Sequence, residues 1–143
     1  AALKFRGALG VAGPMAAHMA ATMPLELRSP AAVVVPVPTV SSRRRRRGFD
    51  PAGVLAAALA RRLDSPLVQC LERRDRAGRQ VGTGRAARRA PNRLAFAVRG
   101  PPPALVLLVD DVHTTGTTLD AAARALAGAG TVVLAALSYA RTL

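Results

Sequence analysis

The run from Val106 to Thr118 constrains this chain more than any other part of it. Four apolar residues, Val106-Leu107-Leu108-Val109, end in two adjacent carboxylates, Asp110 and Asp111. A turn, His113-Thr114-Thr115-Gly116-Thr117-Thr118, then leads into a helical pattern that opens at Leu119. A short, continuous apolar run of this kind reads as a strand buried on both faces. Such a strand belongs in a parallel sheet covered by helices. In open sheets of that type, ligands bind beyond the carboxyl ends of the strands. The pattern therefore delivers two acids to the ligand-binding edge.

Two adjacent residues at a strand end point in different directions. Asp110 and Asp111 accordingly need not share a proton, and they can accept hydrogen bonds from neighbouring hydroxyls. A ribose offers two such hydroxyls on adjacent carbons. The six residues 113–118 add six backbone N–H groups and four threonine hydroxyls. Gly116 permits a turn with positive φ, and the helix that follows turns its positive end toward the loop. Together these features describe a nest for a phosphate monoester. The loop has no lysine, so it is not a Walker-type phosphate loop, and it lacks the glycine spacing of a dinucleotide fingerprint.

Composition narrows the alternatives. The chain has 143 residues, half of them apolar, which suits one compact domain with a real core. A single cysteine, Cys70, excludes an intrachain disulfide framework and a cysteine-rich metal site within this stretch. No apolar run is long enough to span a membrane, and no secretory signal is visible; a cytoplasmic protein is the default expectation. The net charge is +13, and of the basic residues only Lys4 is not arginine. Arginine excess has two readings of equal weight: GC-rich coding, or attraction to polyanions such as nucleic acid, anionic lipid or a pyrophosphate-bearing substrate. With Phe5, Phe49, Phe96 and Tyr139 the only aromatic residues, stacking platforms for single-stranded nucleic acid are not expected.

Helices and strands alternate along the chain. Residues 11–23 are expected to form a helix with Pro14 near its first turn and Val11, Met15, Met19 and Met23 as a core stripe. Residues 33–38 read as a buried parallel strand closed by prolines, and 51–63 as a helix that Asp50 caps and Pro51 opens. Residues 67–71 read as a short strand, and the Arg-rich stretch 72–93 as a long mobile loop or a hairpin arm. Further strands are expected at 94–98, 105–109 and 132–137, with a helix at 117–128 that ends at Gly128 and Gly130. The class is α/β with a mainly parallel sheet, in one domain over residues 1–143.

The strand, the acid pair and the Thr-Thr-Gly turn resemble the phosphoribosyl-pyrophosphate (PRPP) motif of type I phosphoribosyltransferases. Further segments fall in the order seen in the ComF-type, competence-associated branch of that superfamily. These are Leu3-Lys4-Phe5-Arg6-Gly7, Val35-Pro36-Val37-Pro38, the arginine run Arg43 to Arg47 that leads into Gly48-Phe49-Asp50, and Gln80, Arg88, Asn92 and Phe96. The resemblance covers nearly the whole chain. It departs from the branch at Asp75 and Ala77, where an Arg and a Thr usually precede the glutamine, at Thr83, usually Leu, and at His113, usually apolar. That branch commonly carries an N-terminal cysteine-rich zinc element. It is expected to have been lost, trimmed or never present here.

The resemblance implies a type I phosphoribosyltransferase fold: a parallel sheet flanked by helices, with a small hood from residues 1–30 and the arm, and a flexible lid at 73–93. It implies PRPP as ligand, Mg²⁺ entering with PRPP, and transfer of a phosphoribosyl group to a nitrogenous base with release of pyrophosphate. Asp110 and Asp111 would hold the ribose hydroxyls, and Thr114, Thr115, Gly116, Thr117 and Thr118 the 5′-phosphate. Pro38 and Arg47 would face the pyrophosphate, while Gln80, Arg88 and Asn92 would belong to the lid. A homodimer is common in the superfamily. The alternative from another class is a non-catalytic nucleotide- or PRPP-binding protein, or a DNA-binding competence accessory that uses the arginine surface.

Overall fold

The computed structural model of the chain describes residues 2–38, 50–75, 94–113 and 116–141. The element order is α1 (Ala2–Thr22), a 3-10 turn (Leu25–Leu27), β1 (Val33–Pro36), α2 (Pro51–Leu63), β2 (Leu71–Asp75), β3 (Leu94–Val98), β4 (Leu105–His113), α3 (Thr117–Gly128) and β5 (Val132–Arg141). Strands β1, β4 and β5 form a parallel sheet with β4 in the centre. Strands β2 and β3 form a separate antiparallel hairpin. This is the expected α/β class, with a parallel sheet flanked by helices.

The central strand is the most deeply covered part of the sheet. Val106, Leu107, Leu108 and Val109 are all 1% exposed or less. Side chains alternate along a strand, and the two sets meet different partners. Val106 and Leu108 pack with Val35, Val37 and the α3 residues Leu119, Ala122 and Leu126, and Phe96 and Val98 of the hairpin close the same cluster. Val109 packs on the other side with Leu55 and Leu59 of α2 and Ala12, Ala16 and Met19 of α1. Leu107 meets Met23 and Ala32 nearby. The molecule is thus layered: α1 and α2, then the sheet, then α3 with the hairpin.

Local chemistry sets the ends of the elements. Helix α2 stops at Asp64, which takes the left-handed conformation (φ 54°), while the Ser65 N–H closes on the Ala60 carbonyl at 2.9 Å. Helix α3 ends in a comparable turn through Gly130 (φ 95°), with the Thr131 N–H on the Leu126 carbonyl at 3.0 Å. The buried Thr131 hydroxyl is satisfied by the Pro103 carbonyl at 2.7 Å.

Three expectations are corrected. Helix α1 begins at Ala2, not near residue 11, so Pro14 lies inside it. A proline leaves the carbonyl four residues earlier without its helical donor. Here Gly10 and Pro14 are both exposed, so water can serve that carbonyl. Val11 is 54% exposed, and the buried stripe runs instead through Ala12, Ala16, Met19 and Met23. The proposed strand at 67–71 divides in two. Leu67 makes one parallel bridge to Val34, and Leu71 then starts the hairpin, antiparallel to Val98. Of the two readings of the stretch after it, the hairpin arm describes its base. The strands β4 and β5 both run four residues further than the apolar pattern suggested.

Leu108 fills the α3 side of the core with no exposed surface, whereas Leu25 is 80% exposed. Leu108→Ala is expected to lower unfolding free energy by about 2–5 kcal/mol. Leu25→Ala should change it by less than about 0.5 kcal/mol. Urea denaturation of both variants checks the assignment.

Candidate ligand-binding site

The acids lie within β4, not after it. The β4–β5 ladder continues through Asp110↔Ser138 to His113↔Arg141. On the other flank, Pro36 pairs with Val109, and the Val37 N–H donates to the Val109 carbonyl at 2.8 Å. Half-buried Pro38 follows directly, beside the level of the acids. Pairing on both sides holds the β4 backbone under Asp110 in place.

Asp110 is buried and Asp111 half-buried. The Asp111 N–H donates to Asp110 Oδ1 at 2.9 Å. Burial is the largest influence on the Asp110 carboxyl and pushes it up to about 7. A hydrogen bond from the Asp111 side chain and its charge push the same way, Asp50 adds a smaller repulsion, and the Asp111 N–H opposes them. Burial and the neighbouring Asp111 carboxyl hold Asp110 above the usual carboxylate range, and the two acids form one acidic pair at this edge. Once ionised it presents several oxygens that accept hydrogen bonds from adjacent hydroxyls.

The N-terminus of α3 faces the same edge. Gly116 precedes it with φ 80° and ψ −1°, a left-handed conformation that side chains rarely adopt, and its carbonyl accepts the Asp120 N–H at 2.9 Å. The backbone amides of a helix start favour an anion. Thr117 is exposed and Thr118 half-buried there. Asp120 is tied to Arg124 at 3.1 Å on the outer face.

The structure thus brings Asp110, Asp111, Pro38, Gly116, Thr117 and Thr118 to one edge. Thr114, Thr115, Arg47, Gln80, Arg88 and Asn92 lie outside the described residues, as do Ala77 and Thr83. Asp75 pairs with Leu94 at the far end of the hairpin base. Two residues at this edge escaped the sequence reading. Asp50 was read only as a helix cap, yet it acts electrostatically on Asp110 and makes no side-chain capping bond. Ser138 is the β5 partner of Asp110. Their signal is positional, since the ends of neighbouring parallel elements share one edge.

A sequence profile of the phosphoribosyl transferase domain matches residues 45–142, the stretch that includes α2, the acid pair and α3. The chain belongs to the phosphoribosyltransferase family, in its ComF-type branch. Competence protein F of Haemophilus influenzae is 37% identical to it over 100 residues, which cover 66% of this chain and 43% of that protein. The chain therefore spans less than half the length of the curated relative it matches. No helix among the described residues is long and apolar enough to cross a membrane.

The raised Asp110 carboxyl fixes the sign of a pH effect. An acid whose pKa is higher folded than unfolded binds more protons in the native state between the two values. Stability is therefore expected to fall as pH rises from about 4 toward 7. Asp110→Asn, which mimics the protonated acid, should flatten that dependence and gain on the order of a few kcal/mol over wild type at pH 8. Denaturation midpoints of both proteins from pH 4 to pH 8 measure it.

Proposed function

We propose that this chain binds PRPP and transfers its phosphoribosyl group to a nitrogenous base, releasing pyrophosphate. The observation that carries this reading is the juxtaposition at one sheet edge of the Asp110–Asp111 pair and the α3 N-terminus behind a left-handed Gly116. A ribose 5-phosphate presents the matching groups: two adjacent hydroxyls and a phosphate.

In this reading Asp110 and Asp111 accept hydrogen bonds from the ribose hydroxyls. The α3 amides with Thr114, Thr115, Gly116, Thr117 and Thr118 hold the 5′-phosphate. Pro38 and Arg47 flank the pyrophosphate, and Gln80, Arg88 and Asn92 close over it from the arm. The bond from the anomeric carbon to the pyrophosphate oxygen breaks and a bond to the base nitrogen forms. The carboxylates oppose the positive charge that develops on the sugar. Closure of the arm would keep water from the activated sugar.

Mg²⁺ belongs to this reading as part of the substrate complex. Among the described residues no group of three or more His, Cys, Asp or Glu side chains is arranged to hold a metal. Asp110 and Asp111 are the residues that would meet an ion brought in with the diphosphate. When bound, the ion neutralises charge on the leaving pyrophosphate.

The net charge of +13 favours a second reading, in which the chain is a nucleotide- or DNA-binding accessory without catalysis. The relative's name, Competence protein F, agrees with either. The two separate cleanly by titration calorimetry. Asp110→Asn with Asp111→Asn is expected to weaken Mg²⁺-dependent PRPP binding at least about tenfold, the scale of losing charged hydrogen bonds. Unchanged PRPP affinity in that double variant would overturn the ribose assignment. DNA affinity that falls steeply with salt but ignores both substitutions would favour the accessory reading.

A further inference from the structure

A recess lies at the end of the helical layer opposite the acid pair. Asp50 begins α2 at the acid-pair edge, and the recess sits beyond its last turn, roughly 20 Å away along the helix axis. It is a cleft of about 260 Å³ between the C-terminal ends of α1 and α2, just below the size range of drug-sized ligand pockets and so suited to a smaller molecule. Its floor is apolar: Met23, Leu63 and Leu107, the last a residue of the central strand. Its polar lining includes Arg28, Arg62, Ser29 and Ser65.

The polar groups are not equally occupied. Ser65 Oγ donates to the Leu63 carbonyl and Ser29 Oγ accepts the Ala31 N–H. The Arg28 guanidinium donates to the Ala20 carbonyl in the last turn of α1. That leaves most of its five N–H donors available. Among the described residues the Arg62 side chain makes no hydrogen bond or ion pair. The cleft therefore combines an apolar floor that reaches the sheet with two guanidinium groups that have donors to spare.

We propose that this cleft binds a small organic monocarboxylate, its carboxylate on Arg62 and Arg28 and its apolar body on Met23, Leu63 and Leu107. A single charge is favoured over a phosphate dianion for a physical reason. The cleft lies at two helix C-termini, whose carbonyl ends repel negative charge, and it offers no helix-start amides. Guanidinium matches a carboxylate bidentately. The site is independent of the acid pair and of the PRPP reading.

Benzoate, phenyl phosphate and benzamidine test the proposal, since they share a ring and differ in charge. In amide NMR titrations of the whole chain, benzoate is expected to shift Ser29, Leu63 and Ser65 saturably and benzamidine to leave them unmoved. Phenyl phosphate should bind more weakly than benzoate. Arg62→Gln, at an exposed position, should weaken benzoate about tenfold without altering amides elsewhere. Asp111→Asn should leave benzoate binding unchanged whether or not PRPP binds. The proposal is overturned by absence of saturable shifts, by benzamidine or phenyl phosphate binding as well as benzoate, or by full benzoate affinity in Arg62→Gln.

Discussion

Burial of β4 on both faces and along both edges is the constraint on which the rest of the structure depends. Val106 to Val109 meet α1 and α2 on one side and α3 with the hairpin on the other, while β1 and β5 take up the backbone hydrogen bonds. A fully buried Leu or Val contributes roughly 1.5–3 kcal/mol, so a run of four such residues anchors every layer at once. The same burial acts on chemistry. The strand continues into Asp110 without surfacing, and desolvation raises that carboxyl toward neutrality. One strand thus provides both the core and the reactive edge.

The parts of the fold that were legible in the sequence have strong local contrast. The residues 105–109 switch abruptly from apolar to acidic, and 117–128 combine a glycine start, a helical stripe and a glycine stop. Both elements stand as read, apart from the extra length of β4. Gly116 occupies the left-handed conformation that its place in the turn suggested. The poorly legible parts lack such contrast. In α1, alanine appears on every face, so buried Ala12 and Ala16 could not be distinguished from their exposed neighbours by hydropathy. Pro14 looked like a start because a proline inside a helix is tolerated only where its lost hydrogen bond reaches solvent. Residues 67–71 are apolar enough for a strand, but their pairing is decided by partners distant in sequence, Val34 and Val98.

Legibility of the site divides along the same line. Asp110, Asp111 and Gly116 follow one another closely, so their sequence spacing already describes their geometry. Asp50 and Ser138 reach the same edge only because parallel elements end together, and no spacing announces that. The contact between the Asp110 carboxyl and the Asp111 backbone was also hidden. Alternation along a strand describes where Cβ atoms point, but a flexible carboxyl can fold back on the next residue's N–H, as Asp110 does.

Strand β5 gives the chain a particular behaviour in solution. Its only neighbour among the described residues is β4, so its outer row of backbone groups is open there, and residues 132–140 contain no charge and no proline. Edge strands are ordinarily guarded by a lysine, a proline or a bulge that bends them away. The one irregularity here, a register shift between Val106 and Leu107, falls in the ladder to β4. The guard is instead global: a surplus of thirteen positive charges over the whole chain that makes copies repel one another at long range. Such a guard weakens as salt shortens the reach of charge. Colloidal stability of this protein is therefore tied to ionic strength, through the net charge of the whole chain rather than through any charge within residues 132–140.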